Sequence, residues 1–588
     1  MLLAARSAVA LYRLLDVSPV FSGDDRITRL FTWVPGSDFG VDVLSAIDVV
    51  GGRTVPWSEA RDRTYDLVVA ASPKGDVRSL RGKHVLLPHG AGFNKSIPEE
   101  GSVDSASGLD PAYLLRADDA APLALHAVAH PDHVARLAAV APEAARKTKV
   151  IGDPTLERIL ASYPLRDRYR AALGTGPRKL LVLASTWGPE SLIRQRPELP
   201  AQLAAHLPHD EYQLALILHP NEWSSLGTYE LTERLAPALD AGMILVNPHE
   251  EWASALIAAD ALVTDHGSTA LYYAAAQDRP LVSVSRDAEG PRPGCTELIP
   301  GSPMDILLRQ VPKLGPAEGI EDALRAYRPG PGLAAAQAAF AYQGSALSRL
   351  RTELYDLVGL TPPALSTPVR LLPVPTAAAR VATAFDVHAE VTTEGAGIVR
   401  RPAGMGLPGH HLAVEHGAAT EQLTRSAGLL YRRPQSAPSV PSVPSAPSAP
   451  SAPSAPSAPS APSAPSAPSA PSAFCASSDL TWSSGGWTQH VLSEYPGCRA
   501  AAAVRPSGLC LLDVRGHAQP YTVQVEPWPE GGRIARIDPA AAISAVHAWL
   551  ITHRAKPAAP TWLTCHIGQR AFRILLRPAT DDEAGQPI

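Results

Sequence analysis

Short apolar runs alternate with helix-like stretches through the first half of the chain. Four of them precede residue 155: ITRLFTWV (27–34), YDLVVAAS (65–72), KHVLLPHG (83–90) and KVIGDP (149–154). Five follow in a second series: RKLLVLAST (178–186), YQLALILHP (212–220), GMILVNP (242–248), ADALVTD (259–265) and RPLVSVS (279–285). Strands that alternate with helices predict parallel sheets of the α/β class. The two series therefore predict two Rossmann-like halves that face a ligand cleft.

Helical patterns flank these series. The first residues, MLLAARSAVALYRLLDV, are apolar at helical spacing and are interrupted by Arg6 and Arg13. This pattern favours an amphipathic first helix over a signal peptide. The Ala-rich stretch from Leu333 to Leu360 predicts one long closing helix. No uninterrupted apolar run reaches about 18 residues, which excludes an ordinary transmembrane helix.

The second half of the chain is divided by a repetitive tract. Residues 436–473 consist of SAP triplets with SVP variants, a composition that favours a disordered or polyproline II linker. Before the tract, residues 361–435 have a weak, partly β pattern. After it, residues 474–588 combine strand-like runs with a helix-like segment, which predicts a small α+β domain.

Composition excludes several classes of function. The formal net charge of −5 provides no basic footprint and argues against a nucleic-acid binder. The five cysteines form no C-x-x-C pair, which favours a reducing cytoplasm and predicts no zinc site. The chain has neither a G-x-x-x-x-G-K-[ST] nor a G-x-S-x-G sequence, so a P-loop nucleotide hydrolase and a serine hydrolase are disfavoured.

Candidate chemistry lies in loops that follow predicted strands, where ligands of open α/β sheets bind. LPHGAGFNK places His89 and Gly90 at such a strand end, and an imidazole there is suited to general base work. LILHPNEW does the same for His219, which could donate a hydrogen bond to a phosphate. VIGDPTLERI contains Asp153 at a helix start. Two solvated or packed histidines and a structural turn remain the alternatives for these three loops.

The loop DHGST, residues 265–269, is the most informative of the four. It joins an apolar strand to a helix-like segment. The hydroxyls of Ser268 and Thr269, together with the first amides of the helix, are suited to holding phosphate oxygens. Asp265 either organises this loop or only caps the helix. The sequence therefore predicts a phosphate site here.

Five segments together resemble a known family. LPHGAGFNK, VIGDPTLERIL, VLASTWGPES, LILHPNEW and ADALVTDHGSTALYYAA match, in order and spacing, the pattern of CDP-glycerol glycerophosphotransferases, the GT-B enzymes of teichoic acid assembly. The resemblance implies an N-terminal acceptor domain over 1–165 and a nucleotide-donor domain over 166–360. It also implies a nucleotide diphosphate donor such as CDP-glycerol, a polyol-phosphate or glycan acceptor, and neither a metal nor a separate cofactor.

The resemblance also implies roles for single residues. His89 would be the base that deprotonates the acceptor hydroxyl, and His219 would bind the donor phosphates together with Ser268 and Thr269. Six further residues complete the expected nucleotide site: Gly90, Asp153, Thr186, Asp265, His266 and Gly267.

A non-catalytic protein of the same fold is the main rival hypothesis. Pro88 and Gly188 stand where the family usually has an aromatic residue and an arginine. Such a scaffold would bind a protein, a glycan or the inner membrane face through its C-terminal module. The nonhydrolysing UDP-sugar 2-epimerases share the design of the 265–269 loop, but their Gly-Thr-Arg-Pro-Glu sequence does not occur here. The expected location is the cytoplasm, or the periphery of the inner membrane face.

Overall fold

The structure is a computed structural model that describes residues 1–36, 41–87, 90–96, 114, 123–284, 297–365, 367–376, 380–404, 409–434, 481–530 and 532–588. The chain forms two compact units. The first contains residues 1–382 and 399–407, and the second contains residues 383–398 and 408–588. None of the helices in these described ranges is long and apolar enough to cross a membrane. The Pro-rich tract, 436–473, lies outside the described residues.

The N-terminal half of the first unit contains a parallel six-stranded sheet with the order β2-β1-β3-β4-β6-β7. Its strands are β1 (Leu2–Ala5), β2 (Leu30–Trp33), β3 (Thr64–Ala70), β4 (Arg81–Leu86), β6 (Leu123–Val128) and β7 (Thr148–Val150). The helices of this half are α1 (Ala8–Val17), α2 (Val41–Val49), α3 (Trp57–Asp62), α4 (Pro131–Val140) and α5 (Pro142–Arg146).

The C-terminal half contains a second parallel sheet, with the order β10-β9-β8-β11-β12-β14. Its strands are β8 (Lys179–Ser185), β9 (Tyr212–Leu218), β10 (Ile244–Leu245), β11 (Ala261–Thr264), β12 (Leu281–Val284) and β14 (Lys313–Leu314). A short antiparallel pair, β5 (Lys95–Ser96) with β13 (Glu297–Leu298), connects the two halves. The prediction of two parallel α/β sheets is confirmed.

The remaining helices of the unit follow β7; most of them cover the second sheet, and the last one packs against the core of the first sheet. They are α6 (Pro154–Ser162), α7 (Arg166–Ala172), α8 (Leu192–Gln195), α9 (Leu199–His206), α10 (Pro220–Arg234), α11 (Ala236–Asp240), α12 (Glu251–Ala258), α13 (Thr269–Ala276), α14 (Pro303–Gln310), α15 (Ile320–Ala326), α16 (Pro331–Ala339) and α17 (Ala346–Val358). The backbone of α10 is interrupted at Gly227, whose φ is 73°.

Two predicted helices have different bounds in the structure. The expected first helix begins only at Ala8, because residues 2–5 form the buried strand β1 between β2 and β3. A run of four apolar residues does not distinguish a strand from a helix by periodicity alone. The expected closing helix is two helices, α16 and α17. Between them the Ala341 amide donates to the Ala129 carbonyl (2.8 Å), and Tyr342 has a φ of 49°.

Helix α6 joins the two halves through buried polar contacts. Asp153 caps the helix by accepting a hydrogen bond from the Leu156 amide (2.8 Å), and it also accepts one from the Tyr272 hydroxyl (2.9 Å) of α13. Arg13 of α1 lies 3.8 Å from the same carboxylate. Although Arg13 stabilises the charged form, burial is the larger effect and raises the pKa of Asp153. Asp153 thus links helices from both sheets.

Arg158 makes the second connection from α6. Its guanidinium lies 2.9 Å from Asp16 of α1 and 2.7 Å from Glu250, which follows β10. The side chains of Arg158 and Asp16 are both 5% exposed. Buried charges require this kind of pairing, because an isolated one keeps its full desolvation penalty. The two halves are therefore held together by one shared cation.

The second unit is a closed barrel of nine strands, in the order β15-β16-β24-β25-β21-β20-β19-β18-β17. Its strands are β15 (Ala384–Thr392), β16 (Gly395–Pro402), β17 (His411–Glu415), β18 (Leu429–Arg432), β19 (Ala500–Val504), β20 (Cys510–Val514), β21 (Tyr521–Val525), β24 (Thr561–Ile567) and β25 (Arg570–Pro578). A separate hairpin comprises β22 (Trp528–Glu530) and β23 (Arg533–Ala535), and the helices are α18 (Glu421–Ser426), α19 (Ser484–Glu494), α20 (Pro539–His553) and α21 (Asp581–Gly585).

The expected small α+β module is therefore corrected to a barrel. Four of its strands precede the Pro-rich tract and five follow it. Strand β18 pairs in parallel with β19, so that Leu429 lies opposite Ala500. Local patterns do not reveal such pairing, because the partners are far apart in sequence.

Helix α20 is buried on every side within this unit. Residues 540–550 are all buried, and the helix contacts strands on opposite sides of the barrel, including β15, β24, β21 and β19. A helix that is apolar all round needs such an enclosed position. His547 is an exception among its apolar residues. Within the described ranges, neither of its ring nitrogens has a hydrogen-bond partner.

We expect His547 to make the barrel acid-sensitive. Burial lowers the pKa of His547 to about 3, and the positive charges of His410 and Arg499 act in the same direction. The unfolded chain takes up this proton near pH 6.5, so the stability is complete above that pH and is lost as the pH falls towards 3. At pH 5 the loss should be about 2 kcal/mol. His547→Leu should remove this loss.

Limited proteolysis in urea at pH 7 and pH 5 measures the effect, with fragments of residues 481–588 identified by mass spectrometry. His566→Leu is the matched control, because His566 lies on the exposed face of β24. It should retain the wild-type difference between the two pH values. An unchanged difference in His547→Leu would contradict the assignment.

We also expect Arg158→Leu to destabilise the first unit by about 3–5 kcal/mol, since Asp16 would remain buried without this cation, while Glu250 would keep its contact with Arg370. Arg234→Leu is the control, because Arg234 pairs with Glu230 (2.7 Å) at the surface, where both side chains are about half exposed. It should cost less than about 1 kcal/mol. Urea unfolding measures both values, and equal effects would show that the buried pair is not important.

Candidate functional site

A cavity of about 530 Å³ lies where the carboxyl ends of the two parallel sheets meet. The N-terminal half lines it with residues that follow β1, β3 and β4: Arg6, Ser7, Ser72, Lys74 and the segment 90–95. The C-terminal half lines it with residues that follow β8, β9, β10 and β11: Thr186, Trp187, residues 219–221, residues 248–250 and residues 266–269. Both sheets therefore contribute loops to one site.

Asp265 organises the C-terminal side of the cavity. This buried carboxylate accepts three backbone hydrogen bonds, from Thr186 (2.7 Å), Leu192 (2.9 Å) and Gly267 (2.8 Å). Burial raises the pKa of Asp265, while Lys95 and these amides act in the opposite direction. Because the amides come from two different loops, Asp265 holds the loops that follow β8 and β11 in one arrangement.

Ser268 and Thr269 present hydroxyls and backbone amides to the cavity. Ser268 is the N-cap of α13, and Thr269 is the first residue of this helix. Within the described structure the Ser268 hydroxyl makes no capping hydrogen bond. The amides of Ala270 and Leu271 already donate to the carbonyls of Gly267 (3.3 Å) and Ser268 (3.0 Å). A ligand at this end would therefore meet the two hydroxyls, the Thr269 amide and the positive end of the helix dipole. This loop is therefore suited to binding phosphate oxygens.

The segment 90–96 of the N-terminal half contacts the C-terminal half beside the cavity. The Asn94 side chain donates to the Ala91 carbonyl (2.7 Å) and accepts from the Met304 amide (3.2 Å) of the C-terminal half. Lys95 donates to the Thr186 hydroxyl at 3.4 Å. A Cβ atom built on Gly90 would lie 3.6 Å from the Ser268 hydroxyl oxygen. The loop after β4 thus lies against the loop after β11.

Gly92 allows a buried histidine to approach this segment. Its φ is 82°, and a Cβ atom there would lie 2.7 Å from Nε2 of His133. A side chain at this position would be strained and would also clash. Burial lowers the pKa of His133 to about 3, so its ring is neutral and packs edge-on against Phe93 (4.7 Å). The Gly90–Lys95 loop therefore rests on an uncharged support.

His219 has a defined orientation at the start of α10. Its Nδ1 accepts a hydrogen bond from the Asn221 amide at 3.1 Å. In the neutral ring this leaves the proton on Nε2, which is then a donor. His219 also lines the cavity, and its ring centroid lies 6.2 Å from that of Trp187. The geometry is suited to donating a hydrogen bond to an anionic ligand.

The structure brings most of the predicted site residues together. Seven of them line the cavity: Gly90, Thr186, His219, His266, Gly267, Ser268 and Thr269. Asp265 lies directly behind them, and Asp153 lies at the start of α6, where the two halves contact each other. His89 lies outside the described residues, immediately before Gly90 in the sequence.

Sequence reasoning missed several cavity residues: Arg6, Tyr12, Lys74, Trp187, His249 and Trp252. Lys74 carried a signal, because it follows the predicted strand 65–72, but Arg6 carried none, because the strand before it was predicted as a helix. The stacking of Tyr12 on His249, with ring centroids 5.3 Å apart, carried none, since it joins residues from different halves. No group of three or more His, Cys, Asp or Glu residues in the described ranges could hold a metal ion.

Several solved structures are similar to this chain. No family model and no curated protein matches the sequence. Among solved structures, the wall teichoic acid polymerase TagF is similar over 61% of this chain and 88% of its own, with 12% identity and a TM-score of 0.42. Anabaena Alr3699/HepE, in complex with UDP and glucose, is similar over 61% and 99%, with 14% identity and a TM-score of 0.36. A putative UDP-N-acetylglucosamine 2-epimerase from Listeria monocytogenes is similar over 60% of this chain and 95% of its own, with 11% identity and a TM-score of 0.39.

Proposed function

We propose that this chain is a GT-B-type transferase that uses a nucleotide diphosphate donor. It moves a glycerophosphate or glycosyl group to a polyol-phosphate or glycan acceptor. The observation that carries the proposal is the convergence of phosphate-binding groups and the Gly90 loop on one cavity between two α/β halves. The order of sequence motifs from LPHGAGFNK to DHGST supports the same class of enzyme.

The C-terminal half holds the donor in this proposal. The hydroxyls of Ser268 and Thr269 and the backbone amide of Thr269 bind the phosphates, and the Nε2–H of His219 donates a further hydrogen bond. These groups are fixed before the donor arrives, because Asp265 and Asn221 already orient their loops. Such preorganised donors stabilise the charge that develops on a leaving phosphate.

The N-terminal half binds the acceptor in this proposal and supplies the base that deprotonates it. His89 directly precedes Gly90 in the sequence. Gly90 in turn lies close to Ser268. In this arrangement His89 removes the proton of the acceptor hydroxyl as its oxygen attacks the donor. With CDP-glycerol, the new bond forms to the phosphorus of the glycerophosphate, the phosphoanhydride bond breaks, and CMP leaves.

A scaffold without catalysis is the second candidate. The observation that favours it is the exposed aromatic surface of the barrel unit, where Trp528 and Trp562 are 47% and 48% exposed. Exposed aromatic residues of this size are typical of binding surfaces. Nucleotide binding separates the two candidates.

The first test is the binding of nucleotides to the full chain. CDP at about 100 times its Kd should stabilise the first unit by about 2.7 kcal/mol and raise its melting temperature, with CMP, UDP and GDP compared. His219→Ala should weaken CDP binding about 10- to 100-fold, because it removes a hydrogen bond to a charged group. His206→Ala, on α9 outside the cavity lining, is the control. The absence of a shift with every nucleotide would favour the scaffold.

The second test separates binding from chemistry. His89→Ala should retain the wild-type Kd for CDP, because the base touches the acceptor rather than the donor phosphates. It should lower the rate of CMP release by about 10²- to 10⁴-fold, the usual contribution of a general base. A chromatographic assay of CMP or UDP release, in a screen of donors and polyol-phosphate acceptors, measures this. Full turnover in His89→Ala would refute the assigned role.

A further inference from the structure

Trp187 lies on the wall of the cavity, and the proposed function so far gives it no task. It follows Thr186 in the loop after β8 and lines the cavity. Its exposed fraction is 44%. The other tryptophans of the first unit, Trp33, Trp57, Trp223 and Trp252, are all less exposed. A large aromatic ring that is exposed inside a concave site is typical of a ligand contact.

The backbone on both sides of Trp187 is fixed. The Thr186 amide donates to Asp265 (2.7 Å), and the Gly188 amide donates to Glu222 (3.3 Å). Glu222 is itself buried and paired with Arg194 at 2.5 Å. The ring is therefore carried by a rigid loop, and a ligand that packs on it needs to immobilise little of the protein.

The ring also lies at the right place relative to the phosphate loop. A Cβ atom built on Gly267 would lie 3.5 Å from Cβ of Thr186. Trp187 is the next residue, and neighbouring Cα atoms are about 3.8 Å apart. The aromatic wall is thus directly adjacent to the start of α13. In a nucleoside diphosphate only one sugar separates the base from the phosphates, so a single ligand spans both features.

We propose that Trp187 is the stacking platform for the nucleobase of a nucleoside diphosphate whose phosphates lie at the N-terminus of α13. This inference rests on the proposed function and specifies how the donor is held. Of the groups in such a donor, the base is the one with a flat aromatic face. Stacking on tryptophan is tolerant of base identity, because every base has such a face. Trp187 therefore selects nucleotides over phosphate-bearing ligands without a base.

The experiment measures the Kd of CDP and of inorganic pyrophosphate by titration calorimetry on the full chain. Trp187→Ala should weaken CDP binding about 10- to 100-fold and leave pyrophosphate binding unchanged. Trp187→Phe should restore most of the affinity for CDP, since it keeps an aromatic face. Trp528→Ala, a similarly exposed tryptophan in the barrel unit, is the matched control and should bind both ligands like the wild type.

The possible outcomes separate this inference from the proposed function. If the wild type binds CDP and Trp187→Ala binds it equally well, the stacking role is refuted and the proposed function stands. Equal losses of CDP and pyrophosphate in Trp187→Ala would show that the ring only shapes the loop, which also refutes stacking. If Trp187→Ala does not fold, unchanged CDP affinity in Trp187→Leu refutes the role. A wild type that binds neither ligand refutes both proposals.

Discussion

The pairing of Arg158 with Asp16 and Glu250 is the constraint on which the first unit depends. One buried guanidinium satisfies a carboxylate from each half. Separating the halves would leave Asp16 or Arg158 buried without this partner, and an unpaired charge in the interior is highly unfavourable. The adjacent triad of Arg13, Asp153 and Tyr272 acts on the same side of the cavity. These buried contacts around α6, the joint between the two halves, therefore fix where the carboxyl ends of both sheets meet.

The site follows from this joint and from the direction of the strands. Because both sheets are parallel, each places its loops at the carboxyl end, and the joint turns these ends towards one cavity. A second set of contacts fixes the opposite side, where Asn94 contacts Met304 and Lys95 contacts Thr186. The Ser268 hydroxyl of the C-terminal half thus lies next to Gly90 of the N-terminal half. Neither half contains the complete site.

Much of the first unit could be predicted from its sequence. Strands such as β8 and β9 are continuous apolar runs because both faces of a parallel sheet are buried, and the loops after them could be located for the same reason. The break between α16 and α17 could not be predicted, since it depends on a contact of Ala341 with Ala129. Trp187 directly follows the predicted strand 178–186 and lies in the segment VLASTWGPES, but the sequence does not single out its ring. Only the folded chain shows that this ring is exposed inside a cavity formed by both halves.

The barrel escaped prediction because its pairings cross the Pro-rich tract. Strands β17 and β18 come before the tract, and β19 and β20 come after it. Periodicity describes a single strand and not its partner, so two half-barrels look like unrelated weak patterns. Strand β19 (Ala500–Val504) has the sequence AAAAV, which shows no alternation, yet it pairs with β18 on one side and with β20 on the other.

Strands β18 and β19, which lie on either side of the Pro-rich tract in the sequence, pair in parallel within one unit. Because Leu429–Arg432 and Ala500–Ala503 lie side by side, the repeat leaves and re-enters the same unit. It is thus an internal insertion and not a tether between two domains. The register of β18 with β19 does not depend on the number of triplets between them in the sequence, and the closure entropy of a chain segment grows by only about 0.6 kcal/mol for each doubling of its length. Repeat number can therefore drift in this gene with little consequence for the fold.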